Sequence, residues 1–222
     1  MSDDDIEDNK HDFAVQWGSP KMHRNMISHS VASARSIAET HSDYDHELKN
    51  HPHPSVRRKV AENSEDPKLL HELAHDKEGV VREGVAANGH AQAHTLTHLM
   101  HDDHEYTRHY LPTHRNITDE HLDHLVNDPV DAVRKQIAIR GPDKYRTKLL
   151  SDGNHTIGQT AARFMNTEEG VSAAANHPGA HVRLGLTANK GRLAIKHIEH
   201  MAQHDPHEFV RDNAQTALKP PR

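Results

Sequence analysis

The amino-acid sequence predicts an all-α protein, an α-solenoid of about seven to eight two-helix repeats of ~25 residues. Three observations predict it. A Val-Arg pair recurs at intervals of 24 to 28 residues, and each interval holds two short apolar stretches with helical spacing. Hydrophobic residues make up only 33% of the chain and aromatic residues 4%, too few for one thick core. A thin core repeated along the chain accounts for all three.

The Val-Arg slot defines the repeat. Its copies are Val56-Arg57, Val81-Arg82, Thr107-Arg108, Val133-Arg134, the degenerate Ile157-Gly158, Val182-Arg183 and Val210-Arg211. The corresponding units are 53–76, 77–102, 103–128, 129–152, 153–176 and 177–205, with an imperfect first unit at 26–50 and a partial copy that ends at 218. Units this short cannot bury their own apolar faces, so they are expected to stack on their neighbours.

The first stretch of each unit has the pattern V-R-x-x-V-A-x-N. Val56 and Val60 are four residues apart, the spacing of one buried helical face. Asn63, Asn88 and Asn189 follow such stretches, and we expect them to end the helix because Asn tolerates a left-handed backbone turn.

The second stretch of each unit spaces two leucines three residues apart. These pairs are Leu70 and Leu73, Leu96 and Leu99, and Leu122 and Leu125. An aspartate follows as a unit boundary at Asp76, Asp102, Asp128, Asp152 and Asp205, where its side chain is placed to cap the next helix.

Together, the V-R-x-x-V-A-x-N stretch, the leucine pair and the boundary aspartate resemble the leucine-rich-variant repeat family, which is related to HEAT repeats. The resemblance covers residues 26–218. It implies short alternating helices, of which one in each pair is often a 3₁₀ turn, wound into a superhelix that serves as a binding surface. Some members carry an N-terminal iron–sulfur cluster, which this chain cannot ligate in that way because it has no cysteine.

Residues 71–75 (His-Glu-Leu-Ala-His) match the H-E-x-x-H signature of zinc metalloproteases. Leu73, however, is a core position of the repeat, and Asp76 is a unit boundary. Histidine pairs at this spacing occur five times in the chain, and chance alone gives ~3, so the match carries little information. A protease also needs a third metal ligand and a cleft. We therefore predict no catalytic residues, no metal site and no cofactor.

Histidine is nevertheless unusually frequent, with 25 residues in a chain whose formal charge is -6 when they are neutral. Those near the end of the second stretch are expected to line one face of the stack. The candidate binding residues are His71, His75, His98, His101, His124, His200 and His204, with His46 in the first unit. Three interpretations remain open: a solvated polar face, a pH-sensitive contact surface, or chelation of a transition metal by His pairs four residues apart.

One arginine per unit forms a second candidate row: Arg57, Arg82, Arg108, Arg134, Arg183 and Arg211. A basic stripe could follow a phosphate backbone or recognise an acidic partner. The simpler interpretation is a structural ladder of Arg–Asp pairs between neighbouring units, because each unit also supplies a boundary aspartate. The acidic net charge and the few aromatic residues make nucleic acid an improbable ligand.

Three segments are expected: an acidic arm at 1–22, the repeat domain at 23–218 and a tail at 219–222. In the arm, Phe13 and Trp17 are candidates for an apolar cap over the open end of the stack, or for a partner anchor.

As function, the repeat design indicates a non-enzymatic scaffold for protein–protein interaction, and we expect it to act as a structural subunit of a larger assembly such as a virion or a multiprotein particle. The alternative is a HEAT-like DNA-binding protein or DNA glycosylase. The partner is expected to be protein, with oligomerisation possible and no membrane contact. The sequence has no apolar run of membrane-spanning length and no secretory signal, which favours a cytoplasmic location, or the virion for a viral protein.

Overall fold

The computed structural model describes residues 18–219, and this part of the chain contains helices and no strand. The helices are α1 (Pro20–His29), α2 (Val31–Thr40), α3 (Asp45–Leu48), α4 (Pro54–Asn63), α5 (Pro67–Leu73), α6 (Gly79–Ala87), α7 (Ala93–Leu99), α8 (Glu105–Tyr110), α9 (Asp119–Leu125), α10 (Asp131–Arg140), α11 (Asp143–Leu149), α12 (His155–Arg163), α13 (Glu168–Ala175), α14 (Ala180–Thr187), α15 (Arg192–His204) and α16 (Glu208–Ala217). The all-α repeat fold predicted from the sequence is confirmed.

The chain divides into two compact units, one up to Asn116 and one from Ile117. Unit 1 contains α1–α8 and unit 2 contains α9–α16. Within unit 1 the first helices of successive repeats, α2, α4, α6 and α8, pack in one row. Unit 2 has the corresponding row α10, α12, α14 and α16, and its second helices α11, α13 and α15 pack in another. Each unit is thus a stack of two-helix repeats.

The predicted apolar faces form the core of both units. Val56 and Val60 on α4 are completely buried, as are Leu70 on α5 and Val133 on α10. The remaining predicted valines and leucines of both stretches are also buried. Each buried side chain of this size contributes roughly 1.5–3 kcal/mol, so the fold is stabilised by many small, similar layers.

The second helix of most repeats is α-helical, which differs from the 3₁₀ turn that the family resemblance implies. Within residues 18–219, 3₁₀ segments occur at Ser42–Tyr44, ahead of the four-residue α3, and at Leu111–Thr113, after α8. At the latter, Pro112 has no N–H to continue the α-helical hydrogen bonds, so α8 ends in a tighter turn.

A bidentate ion pair joins the arginine of a repeat to the aspartate at the end of the same repeat, so the expectation that these pairs join neighbouring units is wrong. Arg57 donates from Nε to Oδ2 of Asp76 at 2.6 Å and from Nη2 to Oδ1 at 2.9 Å. The same two bonds join Arg82 to Asp102, Arg134 to Asp152 and Arg183 to Asp205. The third guanidinium nitrogen, Nη1, donates to a backbone carbonyl six residues earlier, at His51, Asp76, Asp128 and His177.

The boundary aspartates do not cap the next helix directly, and that expectation is wrong. The N-cap of α6 is Glu78, and Asp76 accepts the backbone N–H of this residue at 2.9 Å. Asp102, Asp128, Asp152 and Asp205 likewise accept the N–H two residues further on. The aspartate therefore shapes the turn that enters the helix while its carboxylate faces arginine.

Burial by itself would raise the pKa of Asp76, but the hydrogen bonds from Arg57 and from the Glu78 N–H outweigh it and hold the pKa below its usual value. The pKa values of Asp102, Asp152 and Asp205 are lowered in the same way. Because the folded pKa is depressed, this stabilisation is present above the ordinary carboxylate pKa of about 3.9 and is lost as the pH falls below it.

The degenerate repeat lacks both members of the ion pair. In the degenerate repeat Gly158 replaces the arginine, and the boundary residue is Asn176 instead of aspartate. A Cβ at Gly158 would lie 2.7 Å from the carbonyl oxygen of Leu150, so α12 packs closely against the preceding turn.

Arg108 and Arg211 each donate through Nη1 to a boundary carbonyl, of Asp102 and Asp205 respectively.

A second set of bonds ties a side chain to the backbone of the preceding repeat. Asn88 is buried, and its Nδ2 donates to the carbonyls of Ala61 and Ser64, both at 2.8 Å. Asn189 donates to the carbonyl of Met165 at 2.8 Å in the same manner. Neither residue is left-handed, because no non-glycine residue between 18 and 219 has a positive φ, so the expected left-handed turn is wrong.

His114 replaces asparagine at the equivalent position of the next repeat. Its Nε2 donates to the carbonyl of Asn88 at 2.8 Å, and its Nδ1 accepts the N–H of Asn116 at 3.0 Å. These partners require the neutral ring protonated on Nε2. Burial lowers the pKa of His114, and the neighbouring charge of Arg115 lowers it further, against the effect of the Asn88 hydrogen bond. The fold therefore holds this imidazole neutral.

The predicted cap residues Phe13 and Trp17 lie outside the described residues. Helix α1 begins at Pro20, three residues before the predicted start of the repeat domain. No helix between residues 18 and 219 is both long enough and apolar enough to cross a bilayer.

Removing the buried carboxylate of an ion pair should strongly destabilise the fold. The Asp102→Asn variant leaves Arg82 buried without its counter-ion, and we expect a loss of about 3 kcal/mol of unfolding free energy in urea titrations followed by circular dichroism. Asp103 also contacts Arg82, at 2.6 Å, but its side chain is 92% exposed. Asp103→Asn is the matched control and should leave the unfolding midpoint nearly unchanged. Equal midpoints for the two variants would contradict the structural role of the buried pair.

The asparagine bonds predict a similar contrast. Asn88→Ala removes both donors to the preceding repeat and leaves two buried carbonyls without them, so we expect a loss of about 2 kcal/mol. Asn63 is exposed and donates only to Lys59 within its own helix, so Asn63→Ala should cost little or nothing. The measurement is the thermal unfolding midpoint of both variants. A midpoint for Asn88→Ala as high as that of Asn63→Ala would count against the inter-repeat bond.

Candidate functional site: a histidine-lined groove

A surface groove of about 780 Å³ in unit 1 brings several predicted residues together. One wall carries four imidazoles, from His75, His94, His98 and His101. Apart from Thr97, the other lining residues are charged: Lys77, Arg82, Asp76, Asp102 and Asp103. The groove therefore lies where the Arg–Asp pairs of two successive repeats reach the surface.

Two consecutive second helices position the imidazoles. On α7, His94 and His98 are four residues apart, and His71 and His75 have the same spacing on α5 and the turn after it. The rings of His75 and His98 stack with centroids 4.1 Å apart and planes 15° apart. His71 lies 4.7 Å from His94 and 5.0 Å from His75, again between ring centroids. Stacking of repeats thus turns two helical pairs into one cluster of four rings.

Hydrogen bonds hold part of this cluster in place. Nδ1 of His75 donates to the carbonyl of His71 at 2.9 Å, which leaves the ring edge that carries Nε2 facing outward. Nδ1 of His71 lies 3.2 Å from the hydroxyl of Thr95, a fully buried residue of α7. Hydrogen bonds to α5 and α7 therefore hold one side of the cluster in place, and its other side reaches solvent.

The pKa of His71 is lowered, first by burial and then by the neighbouring His94, His75 and His98, whose protonation disfavours a further positive charge. The four imidazoles that line the groove are those of His75, His94, His98 and His101. When they are neutral, the lysine, the arginine and the three aspartates of the groove give it one net negative charge. Protonation of all four changes this to three net positive charges. The sign of the groove's net charge therefore depends on the protonation state of these imidazoles.

The H-E-x-x-H residues are occupied by contacts other than a metal. Glu72 is exposed and forms an ion pair with Lys49 of the preceding repeat. His75 presents the face of its ring to His98, so the nitrogens of the two rings do not converge on one point. Within residues 18–219, no group of three or more His, Asp or Glu side chains is arranged to hold a metal ion.

The other predicted histidines lie elsewhere. His46 is exposed in unit 1, 3.7 Å from Asp66. In unit 2, His124 lies exposed on α9, whereas His200 and His204 lie exposed on α15 with ring centroids 4.7 Å apart. The structure therefore brings His71, His75, His98 and His101 together in unit 1. In unit 2 it keeps His200 and His204 together on α15 and places His124 on a different helix, α9.

Sequence reasoning missed several members of such clusters. His94 is not among the candidate residues predicted from the sequence, although it lies four residues before His98 on the same helix. In unit 2, His155 and His181 stack with centroids 4.1 Å apart, and burial together with the His155 and His177 charges lowers the pKa of His181. These rings come from helices one repeat apart, and only their equal position in the repeat could have indicated the contact.

Comparison with known proteins gives a likeness in fold. No protein-family model and no curated protein matches the chain. Among solved structures, it is similar to one described as "a leucine-rich repeat variant with a novel repetitive protein structural motif", with a TM-score of 0.58 and 19% sequence identity over 86% of this chain and 87% of that chain. The resemblance to leucine-rich-variant repeats predicted from the sequence is thus confirmed at the level of architecture.

The coupling within the cluster can be measured by titration. In His94→Gln the positive charge next to His71 can no longer form, so the pKa of His71 should rise toward its usual value while remaining lowered by burial. Two-dimensional NMR of the imidazole nitrogens against pH reports this directly. His200→Gln removes an imidazole from unit 2 and should leave the His71 titration unchanged. An identical His71 curve in wild type and His94→Gln would show that the two rings do not interact.

Proposed function

We propose that this protein is a non-enzymatic scaffold that binds a partner protein, with the histidine-lined groove of unit 1 as a contact surface for an acidic segment of that partner. The observation that carries the proposal is the cluster of four imidazoles, His71, His75, His94 and His98, contributed by two consecutive repeats. Three of these rings line the open groove, as does His101. A repeat fold of this architecture fits an interaction role.

An acidic partner is favoured by the charge of the groove. Asp76 and Asp102 are paired with arginine inside the repeat, and Lys77 remains at the rim. Asp103, the third acid of the groove, also contacts Arg82, so every imidazole that becomes protonated adds a positive charge to a surface whose acids are already paired with arginine. A carboxylate-rich segment of a partner would supply that negative charge, and its binding would in turn favour protonation.

We further propose that the scaffold acts as a subunit of a larger assembly, in the cytoplasm or, for a viral protein, in the virion. The alternative of a DNA-binding protein or glycosylase has less support. Arg57, Arg82, Arg134 and Arg183 would be its basic stripe, yet their guanidinium groups are engaged with carboxylates and carbonyls of the repeat. Arginines held in this way are poorly available to a phosphate backbone.

Partner binding should depend on pH through the groove. We expect affinity for an acidic partner to increase about tenfold or more between pH 8 and pH 6, and the increase to shrink with added salt, because protonated imidazoles attract carboxylates through screened charges. The partner is first captured on the immobilised chain at pH 6 and identified by mass spectrometry. Its affinity is then measured at both pH values by calorimetry.

The decisive variant replaces His71, His75, His94, His98 and His101 jointly by Gln, which keeps polarity and removes the protonation of these rings. The matched control replaces His200 and His204, an exposed pair in unit 2. We expect the pH effect to be lost in the first variant and retained in the second. The same pH profile in the first variant as in wild type would overturn the assignment of the groove.

A further inference from the structure

The first-helix row of unit 2 contains a second concave site, separate from the histidine groove. A pocket of about 280 Å³ is formed by α10, α12 and α14. The groups that matter for its chemistry are Lys135 on α10, Gln159 and Arg163 on α12, and Gly185 on α14. No Asp or Glu lines it. At about 30 Å³ per water molecule, it has room for a small polyatomic ion and several waters.

Close packing of α12 against α14 forms the floor of the pocket. A Cβ at Gly185 would overlap the backbone of Gln159, so the two helices approach each other at a distance that only glycine permits. Ala188, which follows α14, also lines the pocket. With such short side chains on α14, the longer side chains of α10 and α12 surround an open space.

The same repeat positions in unit 1 carry balanced charge. Arg58 follows the Val-Arg pair of its repeat, and it is neutralised by Glu62 at 2.7 Å and by Glu83 at 3.0 Å. Glu62 lies four residues after Arg58 on α4, and Glu83 occupies the position of Arg58 in the next repeat. One cation is therefore held between two carboxylates on neighbouring helices.

Unit 2 keeps the cation at this position and loses both acids. Lys135 occupies the position of Arg58, and Gln159 occupies that of Glu83 one repeat later. In the same alignment Ile139 on α10 takes the position of Glu62, and Arg163 on α12 takes the position of Ala87 on α6. Neither Lys135 nor Arg163 forms an ion pair with any residue between 18 and 219, and Arg163 lies over the Phe164 ring at 5.6 Å. Two cations thus face a pocket from which the balancing carboxylates are gone.

We propose that this pocket binds a doubly charged oxyanion of the phosphate type. Arg163 offers a planar fork of N–H donors that matches two oxygens, and Lys135 supplies a second positive charge. The amide of Gln159 is available as a neutral donor, whereas the hydroxyls of Thr156 and Thr160 already donate to Asn154 and to the Thr156 carbonyl. Two positive charges and no acid match a dianion better than a monoanion.

The test is calorimetric titration of the full chain with inorganic phosphate at pH 8 and constant ionic strength set with chloride. At this pH phosphate is mostly a dianion and most imidazoles are neutral, so the histidine groove does not compete. We expect saturable binding of one phosphate per chain, with amide NMR shifts confined to the pocket, and weaker binding of acetate. Lys135→Gln and Arg163→Gln should each reduce the affinity about tenfold, the loss of one charge-assisted hydrogen bond.

Arg140→Gln is the matched control, since it removes an exposed cation from the same helix, α10, outside the pocket. It should leave phosphate affinity unchanged, and circular dichroism verifies that all three variants fold. Phenyl phosphate, titrated in parallel, distinguishes a phosphate ester from the free ion as the preferred ligand, and either preference supports the proposal. The proposal is overturned if phosphate binds no better than acetate, or if Arg140→Gln weakens binding as much as Arg163→Gln. Because the variants lie in unit 2, this outcome is independent of the groove in unit 1.

Discussion

The buried Arg–Asp pair, together with the carbonyl that the same arginine binds, is the constraint on which the repeats depend. Arg82 bonds the carboxylate of Asp102 and the carbonyl of Asp76, so one guanidinium connects the turns at both ends of its repeat. A charge with little access to water is stable only with its partner. This explains why the degenerate repeat lacks both members, with Gly158 and Asn176 in place of arginine and aspartate.

The asparagine bonds act beside the ion pair and follow a different physical rule. A backbone carbonyl at the end of a first helix has no partner within the helix, and Asn88 supplies a donor from the next repeat. In the following repeat the imidazole of His114 donates to the carbonyl of Asn88, and the ring must stay neutral to keep both of its hydrogen bonds. Histidine therefore has two distinct roles here, as a buried donor at one position and as a solvent-facing cluster on α5 and α7.

Because both sets of bonds point inward, the outward positions of each repeat are free to differ in charge. The second helices of unit 1 use this freedom for stacked imidazoles, and the first helices of unit 2 use it for Lys135 and Arg163. The imidazoles of the groove and the two cations of the pocket are side chains at outward positions, and they lie beside the residues that pack the repeats. A scaffold of this kind carries recognition on its surface, and the two surfaces respond differently to pH, since lysine and arginine stay charged where histidine titrates.

The sequence by itself determined the period, the helical pairs and the buried valine and leucine faces. These follow from the local spacing of apolar residues, which places them on one face of each helix, and stacked repeats bury that face. It also indicated that the repeated arginines and aspartates form ion pairs, but it placed these pairs between neighbouring units, whereas the structure forms them within one repeat. Arg146 shows the limit: it takes the core position that Leu122 holds in the repeat before, yet the fold buries it against Asp143 and the carbonyls of Ala138 and Ile139. Only the tertiary structure decided which histidines meet, where carboxylates are missing around a cation, and which carbonyl each asparagine binds. These contacts join residues about 25 positions apart, and their geometry depends on how one repeat rotates onto the next, which no local pattern encodes.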